Sequence, residues 1–109
     1  MLEYLLGSIN KERVLIYLVA NQEGYARAIA AFFGTSLRNI QLQLDNLEAG
    51  GMLVSRTEGR TRLYAFNPRW PMRAELLALI TRVLDYYPAA ERARILGVRR
   101  RPRRRAKPL

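Results

Sequence analysis

Apolar residues recur along the chain at two different periods, and the change of period marks out its elements. Leu2, Leu5, Leu6 and Ile9 fall at helical spacing and predict a short amphipathic helix. Asn10 is placed to cap a second helix, with Glu12 in its first turn, where a carboxylate suits the positive end of the helix dipole. That helix takes in Val14, Leu15 and Leu18 and ends near Asn21. The run Val14–Ala20 also fits a buried strand by periodicity alone; its length and the cap favour a helix. Gly24 breaks the pattern, and Tyr25–Phe33 gives a third helical segment with Ile29, Phe32 and Phe33 for the core.

Gly34 then stands where a helix end takes a left-handed residue. Ser36 is an N-cap for the next helix, its hydroxyl within reach of the amide of Asn39. Leu37, Ile40, Leu44 and Leu47 share one face of this helix, which Gly50-Gly51 ends. The rest of its surface carries Arg38, Asn39, Gln41, Leu42, Gln43, Asp45 and Asn46.

Beyond it the period becomes two. Met52–Thr57 and Thr61–Asn67 are β-prone, the second with Tyr64 and Phe66 on one face, and Glu58-Gly59-Arg60 between them predicts a hairpin tip. Asn67-Pro68 and Pro71 stop the strand. A last long helix carries Leu76, Leu77, Ile80, Val83, Leu84 and Tyr87 and ends at Pro88, and a short helical piece follows from Ala89 to Leu96. The fold class is mainly α with a small β-hairpin (α+β).

Composition narrows the chemistry. Half of the 109 residues are apolar, enough for one folded domain that buries roughly 65% of its unfolded surface. With neither Cys nor His, the chain lacks disulfides, thiolate metal sites, the commonest general base and the commonest metal ligand. Glu75, Asp85 and Glu91 are too scattered to form an oxygen-ligand site. No enzyme activity, cofactor or metal is expected, and no effector can be named. The longest apolar run, Val14–Ala20, is far too short to span a bilayer. Met1–Asn10 lacks the basic cluster of a secretory signal, so the expected location is cytoplasmic, on the nucleoid.

The charge is unevenly placed. Of 19 basic residues against 9 acidic ones, a net charge of +10, seven lie in the last eleven positions. They are Arg99, Arg100, Arg101, Arg103, Arg104, Arg105 and Lys107. Like charges at this density repel one another and Pro102 and Pro108 oppose a helix, so a disordered arginine-rich arm is expected over 98–109, behind a folded domain over 1–97. Its Arg-Pro-Arg core is faintly similar to an AT-hook, without the glycine of that motif.

Two helices joined by Gly34-Thr35 with a Ser cap, then a Gly-tipped hairpin, follow the order of a winged helix-turn-helix. Ile29-Ala30-Ala31-Phe32-Phe33-Gly34-Thr35-Ser36 resembles the first helix and turn of that family. Asn39-Ile40-Gln41, Leu44, Leu47-Glu48 and Gly51-Met52-Leu53-Val54 resemble its recognition helix and the entry to its wing. Arg56 through Pro68 is similar to the wing of ArsR- and MarR-like bacterial transcriptional regulators. The resemblance spans roughly residues 9–87. It implies a three-helix core plus wing with additional terminal helices, a recognition helix at about 36–49 in the major groove, and a wing at about 52–67 on the backbone or in the minor groove.

The residues supply suitable chemistry. Asn39, Gln41 and Gln43 donate and accept at once, as adenine requires; Arg38 suits guanine or a phosphate; Leu42 suits a thymine methyl or the core. Ser36 and the open amides at the helix start suit a phosphate. Arg56, Arg60 and Arg62 on the wing, Arg27 on the preceding helix and the terminal arginines are candidates for backbone contacts. The resemblance also implies a homodimer paired through terminal helices, with Leu2, Leu5, Leu6, Leu76, Leu77, Ile80, Val83, Leu84 and Tyr87 as the candidate interface. The expected function is a sequence-specific double-stranded DNA-binding regulator. The alternatives are a nonspecific architectural DNA- or RNA-binding protein driven by the arm, and a winged-helix adaptor for other proteins.

Overall fold

The computed structural model describes residues 1–98. Apart from Val98, the arm expected over 98–109, with Arg99, Arg100, Arg101, Arg103, Arg104 and Arg105, lies outside the described residues. A short helix, α1 (Glu3–Leu6), ends at Gly7, whose φ of 83° turns the chain away. The long apolar run is a helix, α2 (Ile9–Asn21). Val14 to Leu18 are all buried, so α2 is enclosed on every side at its middle. A helix buried all round shows no amphipathic period, which is why a strand fitted equally well.

The cap of α2 is Ser8, not Asn10. The backbone at Ser8 is extended, and its Oγ accepts from the amides of Asn10 and Lys11 at 3.1 and 3.2 Å. Asn10 is already helical and instead accepts from Arg13 at 3.1 Å. The turn at Gly7 decides the matter, because it delivers the extended residue a cap needs two positions earlier. It also splits the first expected stripe. Leu2 and Leu6 pack on the core, Leu5 is 71% exposed, and Ile9 opens the second helix.

Next come β1 (Glu23–Gly24), α3 (Ala26–Phe33) and α4 (Leu37–Ala49), the last two joined by Gly34 in the left-handed conformation (φ 65°, ψ 36°). Ile29 of α3 and Ile40, Leu44 and Leu47 of α4 join the buried cluster of α2. Leu37, expected in that stripe, is 40% exposed. As the first residue of α4 it lies beyond the reach of the core.

The hairpin forms as the alternation predicts. Strands β2 (Leu53–Glu58) and β3 (Thr61–Phe66) pair antiparallel from Leu53 opposite Phe66 to Glu58 opposite Thr61, with Gly59 at φ 63° at the tip. Tyr64 and Phe66 are buried. β1 adds an outer strand to give the order β1-β3-β2, Gly24 pairing with Tyr64. Gly24 is therefore more than a break. A Cβ there would lie 2.7 Å from Cε1 of Tyr17, so only glycine lets the strand run this close to α2.

Two C-terminal helices, α5 (Arg73–Asp85) and α6 (Ala89–Gly97), close the fold. Tyr87 lies in the connection between them. Arg94 of α6 stacks on the Phe32 ring, 3.9 Å from its centroid, and donates to the Phe32 carbonyl at 3.1 Å, fastening α6 to the end of α3. None of the described helices is long and apolar enough to cross a membrane.

Candidate nucleic-acid interface

Helix α4 starts where Ser36 holds the amide of Asn39 at 3.1 Å, as its sequence position predicts. With the Asn39 amide taken, those of Leu37 and Arg38 remain at the helix start without intrahelical partners. At about 100° per residue, Arg38, Asn39 and Leu42 fall within roughly 100° of one another on the side away from Ile40, Leu44 and Leu47. All three are exposed, Leu42 by 52%. Gln43 is half-buried at the margin of this arc, on the Leu47 side. Among the described residues, no hydrogen bond engages the side chains of Arg38, Asn39 or Gln43.

Gln41 stands apart from the other candidates. Its amide nitrogen donates to Tyr64 Oη and to Asp45 Oδ1, each at 2.9 Å. Both N–H bonds are thus engaged, and the donor half of a two-point adenine contact is gone. The Tyr64 hydroxyl lies 3.5 Å from Asp45, and Ser55 Oγ donates to Glu48 at 2.6 Å. Burial raises the phenol pKa of Tyr64, keeping the hydroxyl protonated and able to donate. Gln41, Asp45 and Glu48 form a polar stripe along the wing-side flank of α4. Their partners Tyr64 and Ser55 sit directly opposite each other on β3 and β2. The i, i+4, i+7 spacing of the stripe was visible in the sequence, whereas its partners on the sheet were not.

The strand period of two divides the wing arginines. Arg62 shares a face with Tyr64, the face that meets α4. Arg56 pairs with Leu63 and points to the other face. There its guanidinium contacts Glu23 at 3.1 Å and Glu58 at 3.3 Å, which raise its pKa further. The sequence supplies Glu58 as a neighbour; β1 brings the second carboxylate. Arg56 thus lies on the far side of the sheet, and the structure does not bring it together with Arg60 and Arg62. Arg60 and Arg62 instead meet Arg27 of α3 around an open groove of about 400 Å³, also lined by Tyr25, Leu37, Gln41 and Tyr64. Among the described residues, no salt bridge engages Arg27, Arg38, Arg60 or Arg62. Leu37 and Gln41 form the α4 wall of this groove, so it flanks the recognition-helix arc on the wing side.

The candidate interface between copies divides as well. Ile80, Val83 and Leu84 are at most 5% exposed and belong to the chain's own core, because α5 turns this stripe onto α2. Leu76, Leu77 and Tyr87 are half-buried against it, as are Leu2 and Leu6. The Tyr87 hydroxyl is taken by Glu12 at 2.6 Å. Of the nine candidates only Leu5 is largely exposed; Tyr4, Leu79 and Tyr86, outside the expected stripes, are further exposed apolar positions on or beside the terminal helices.

No protein-family model and no curated protein matches the sequence. Solved structures do match in fold. The homodimeric winged helix-turn-helix DNA-binding domain of Mb0332 from Mycobacterium bovis, a possible ArsR-family transcriptional regulator, is 26% identical. It superposes with a TM-score of 0.56 over 82% of this chain and 80% of that one. A MarR-family transcriptional regulator from Rhodococcus sp. RHA1 has a TM-score of 0.59 at 21% identity, covering 96% of this chain and 76% of its own. YusO from Bacillus subtilis has a TM-score of 0.57 at 17% identity, covering 100% and 83%. The chain is a winged helix-turn-helix: α2, α3 and α4 form the three-helix core, β2 and β3 the wing, and α1, α5 and α6 the terminal additions. Its structural neighbours are of the ArsR and MarR regulator type.

Proposed function

We propose that this protein is a double-stranded DNA-binding transcriptional regulator that reads sequence through α4. The observation carrying this reading is the exposed arc of Arg38, Asn39 and Leu42 beside a groove ringed by Arg27, Arg60 and Arg62. Asn39 retains both a donor and an acceptor for an adenine edge, Arg38 suits guanine, and Leu42 suits a thymine methyl. Gln43 contributes from the margin of the arc. Ser36 and the open amides of α4 take a phosphate, and the groove arginines take the flanking backbone. The terminal arginines add phosphate contacts that release counterions and make affinity fall with salt. A cytoplasmic protein on the nucleoid fits this role.

We also propose a homodimer. One helix-turn-helix reaches few bases, and a two-fold pair on a near-palindromic site doubles the contact. The homodimeric state of the Mb0332 domain supports this, and Leu5 and Leu79 are exposed apolar positions on the terminal helices available for it.

The test is selection of duplexes from a randomised pool by the full chain, followed by titration of the parent and Asn39→Ala on the selected site. Competitor-resistant binding, weakened in the variant by about 1–3 kcal/mol, is the expected result. Binding with a steep salt dependence, no enriched sequence and no effect of Asn39→Ala would replace this reading with arm-driven, nonspecific nucleic-acid binding. Weak duplex binding throughout would point to an adaptor.

A further inference from the structure

The recognition helix and the wing are two separate elements, and DNA binding of the kind proposed above requires a fixed spacing between them. Away from the short connection over residues 50–52, where the Met52 amide donates to the Leu47 carbonyl at 3.1 Å and Asn67 Nδ2 to the Gly51 carbonyl at 2.8 Å, two sorts of contact join them. Ile40, Leu44 and Leu47 pack in the same core as Leu53, Tyr64 and Phe66. Apolar contact of this sort is non-directional and opposes separation far better than it opposes sliding or rotation. Directional restraint comes from the polar seam: Gln41 to Tyr64 at 2.9 Å, Tyr64 to Asp45 at 3.5 Å and Ser55 to Glu48 at 2.6 Å. Tyr64 is its centre. Only 2% exposed, it has its ring in the core and its hydroxyl at the junction of helix and sheet. Arg62 stands two residues further along the same face, so whatever fixes Tyr64 against α4 also fixes Arg62 relative to Asn39.

We propose that Tyr64 is a positioning residue for sequence readout. Its hydroxyl sets the register of α4 against the wing, and Gln41 acts through that hydroxyl and not by touching a base. The same contacts tie the Asp45 carboxylate, which borders the arc beside Arg38, to Gln41 and Tyr64. This inference rests on the reading of the protein as a sequence-specific DNA binder. Replacing Tyr64 by Phe keeps the ring in the core and removes only the restraint.

The experiment compares the full chain with Tyr64→Phe, Gln41→Ala and the double variant. The probes are the duplex that the parent selects from a randomised pool and a scrambled duplex of the same composition. The readout is the ratio of the two affinities, which a loss of fold stability alone does not change, alongside thermal melting. Each single variant is expected to lower the ratio about fivefold to tenfold with a folded melting transition retained. The double variant is expected to lose no more than either single one, since two residues acting through one contact are non-additive. An unchanged ratio in Tyr64→Phe overturns the proposal and leaves sequence readout standing. Losses that multiply in the double variant also overturn it, because Gln41 would then contact DNA independently. A parent that enriches no sequence overturns both this proposal and the readout it serves.

Discussion

The hydroxyl of Tyr87 donates to the carboxylate of Glu12 at 2.6 Å, joining positions 75 residues apart. Glu12 is fully buried, and it also accepts from the Leu2 amide at 2.6 Å and pairs with the Met1 ammonium at 3.1 Å. One buried carboxylate thus ties α1, α2 and the α5–α6 connection together. Tyr87→Phe removes a charge-assisted donor while nearly preserving shape, and about 1.5–3 kcal/mol of stability should go with it. A urea midpoint indistinguishable from the parent's would show that this node carries no such weight.

Alkaline pH should unfold the protein more readily. Burial is the main cause that raises the phenol pKa of Tyr17, Tyr64 and Tyr87 above the ordinary 10.0, and for Tyr87 the Glu12 carboxylate adds to it. The folded state therefore holds these protons more firmly than the unfolded chain. The stabilisation this gives is complete below pH 10 and is lost as pH rises past it toward the folded-state values. Denaturant midpoints measured at about pH 9, 10 and 11 should fall, with tyrosinate absorbance lagging in the folded protein. Flat midpoints across that range would contradict the assignment.

The split of the wing arginines predicts unequal effects on DNA binding. Arg60→Ala and Arg62→Ala should each reduce the slope of log affinity against log salt by about one. Arg56→Ala should leave the slope unchanged, because its guanidinium is engaged by Glu23 and Glu58 on the opposite face. Equal slopes for all three variants would show that the faces do not divide the work.

Gly24→Ala tests how closely β1 approaches α2. The added methyl would lie 2.7 Å from a ring carbon of Tyr17, itself only 6% exposed and in edge contact with Phe32. Overpacking of this kind costs about 1–3 kcal/mol. A melting temperature equal to the parent's would mean that the ring yields.

The proposed dimer is tested by Leu5→Glu, which places a charge on a side chain that is 71% exposed in the single chain. Sedimentation should change from dimer to monomer while helical circular dichroism is retained. A monomeric parent, or a variant that stays dimeric, would remove Leu5 from any interface.

Much of the helix-turn-helix was legible because its cues are local. Gly34 and the cap from Ser36 to Asn39 act within three residues, and the hairpin follows from alternation around Gly59. What escaped the sequence depends on distant partners. β1 is two residues long and has its identity from Ala65 and Tyr64. Ser8 and Asn10 are equally good caps, and the turn at Gly7 chooses between them. Gln41 resembles a base reader until Tyr64, 23 residues away, takes its amide. Arg56 looked as free as Arg62 until β1 brought Glu23 beside it. Pattern marks the candidate surface, and tertiary contacts determine which of its polar groups remain available.

The alternation of side chains along β3 also limits how a wing of this kind can change length. One residue inserted between Leu63 and Tyr64 would turn everything on its tipward side over. Arg62 would leave the helix face and Leu63 would take its place. An insertion between Tyr64 and Phe66 would break the pairing of Leu53 with Phe66 at the base of the ribbon. Variation in length is thus confined to the tip beyond Glu58 and Thr61, where both faces meet solvent. A lineage carrying this wing could extend its reach there without altering the relation of helix to sheet.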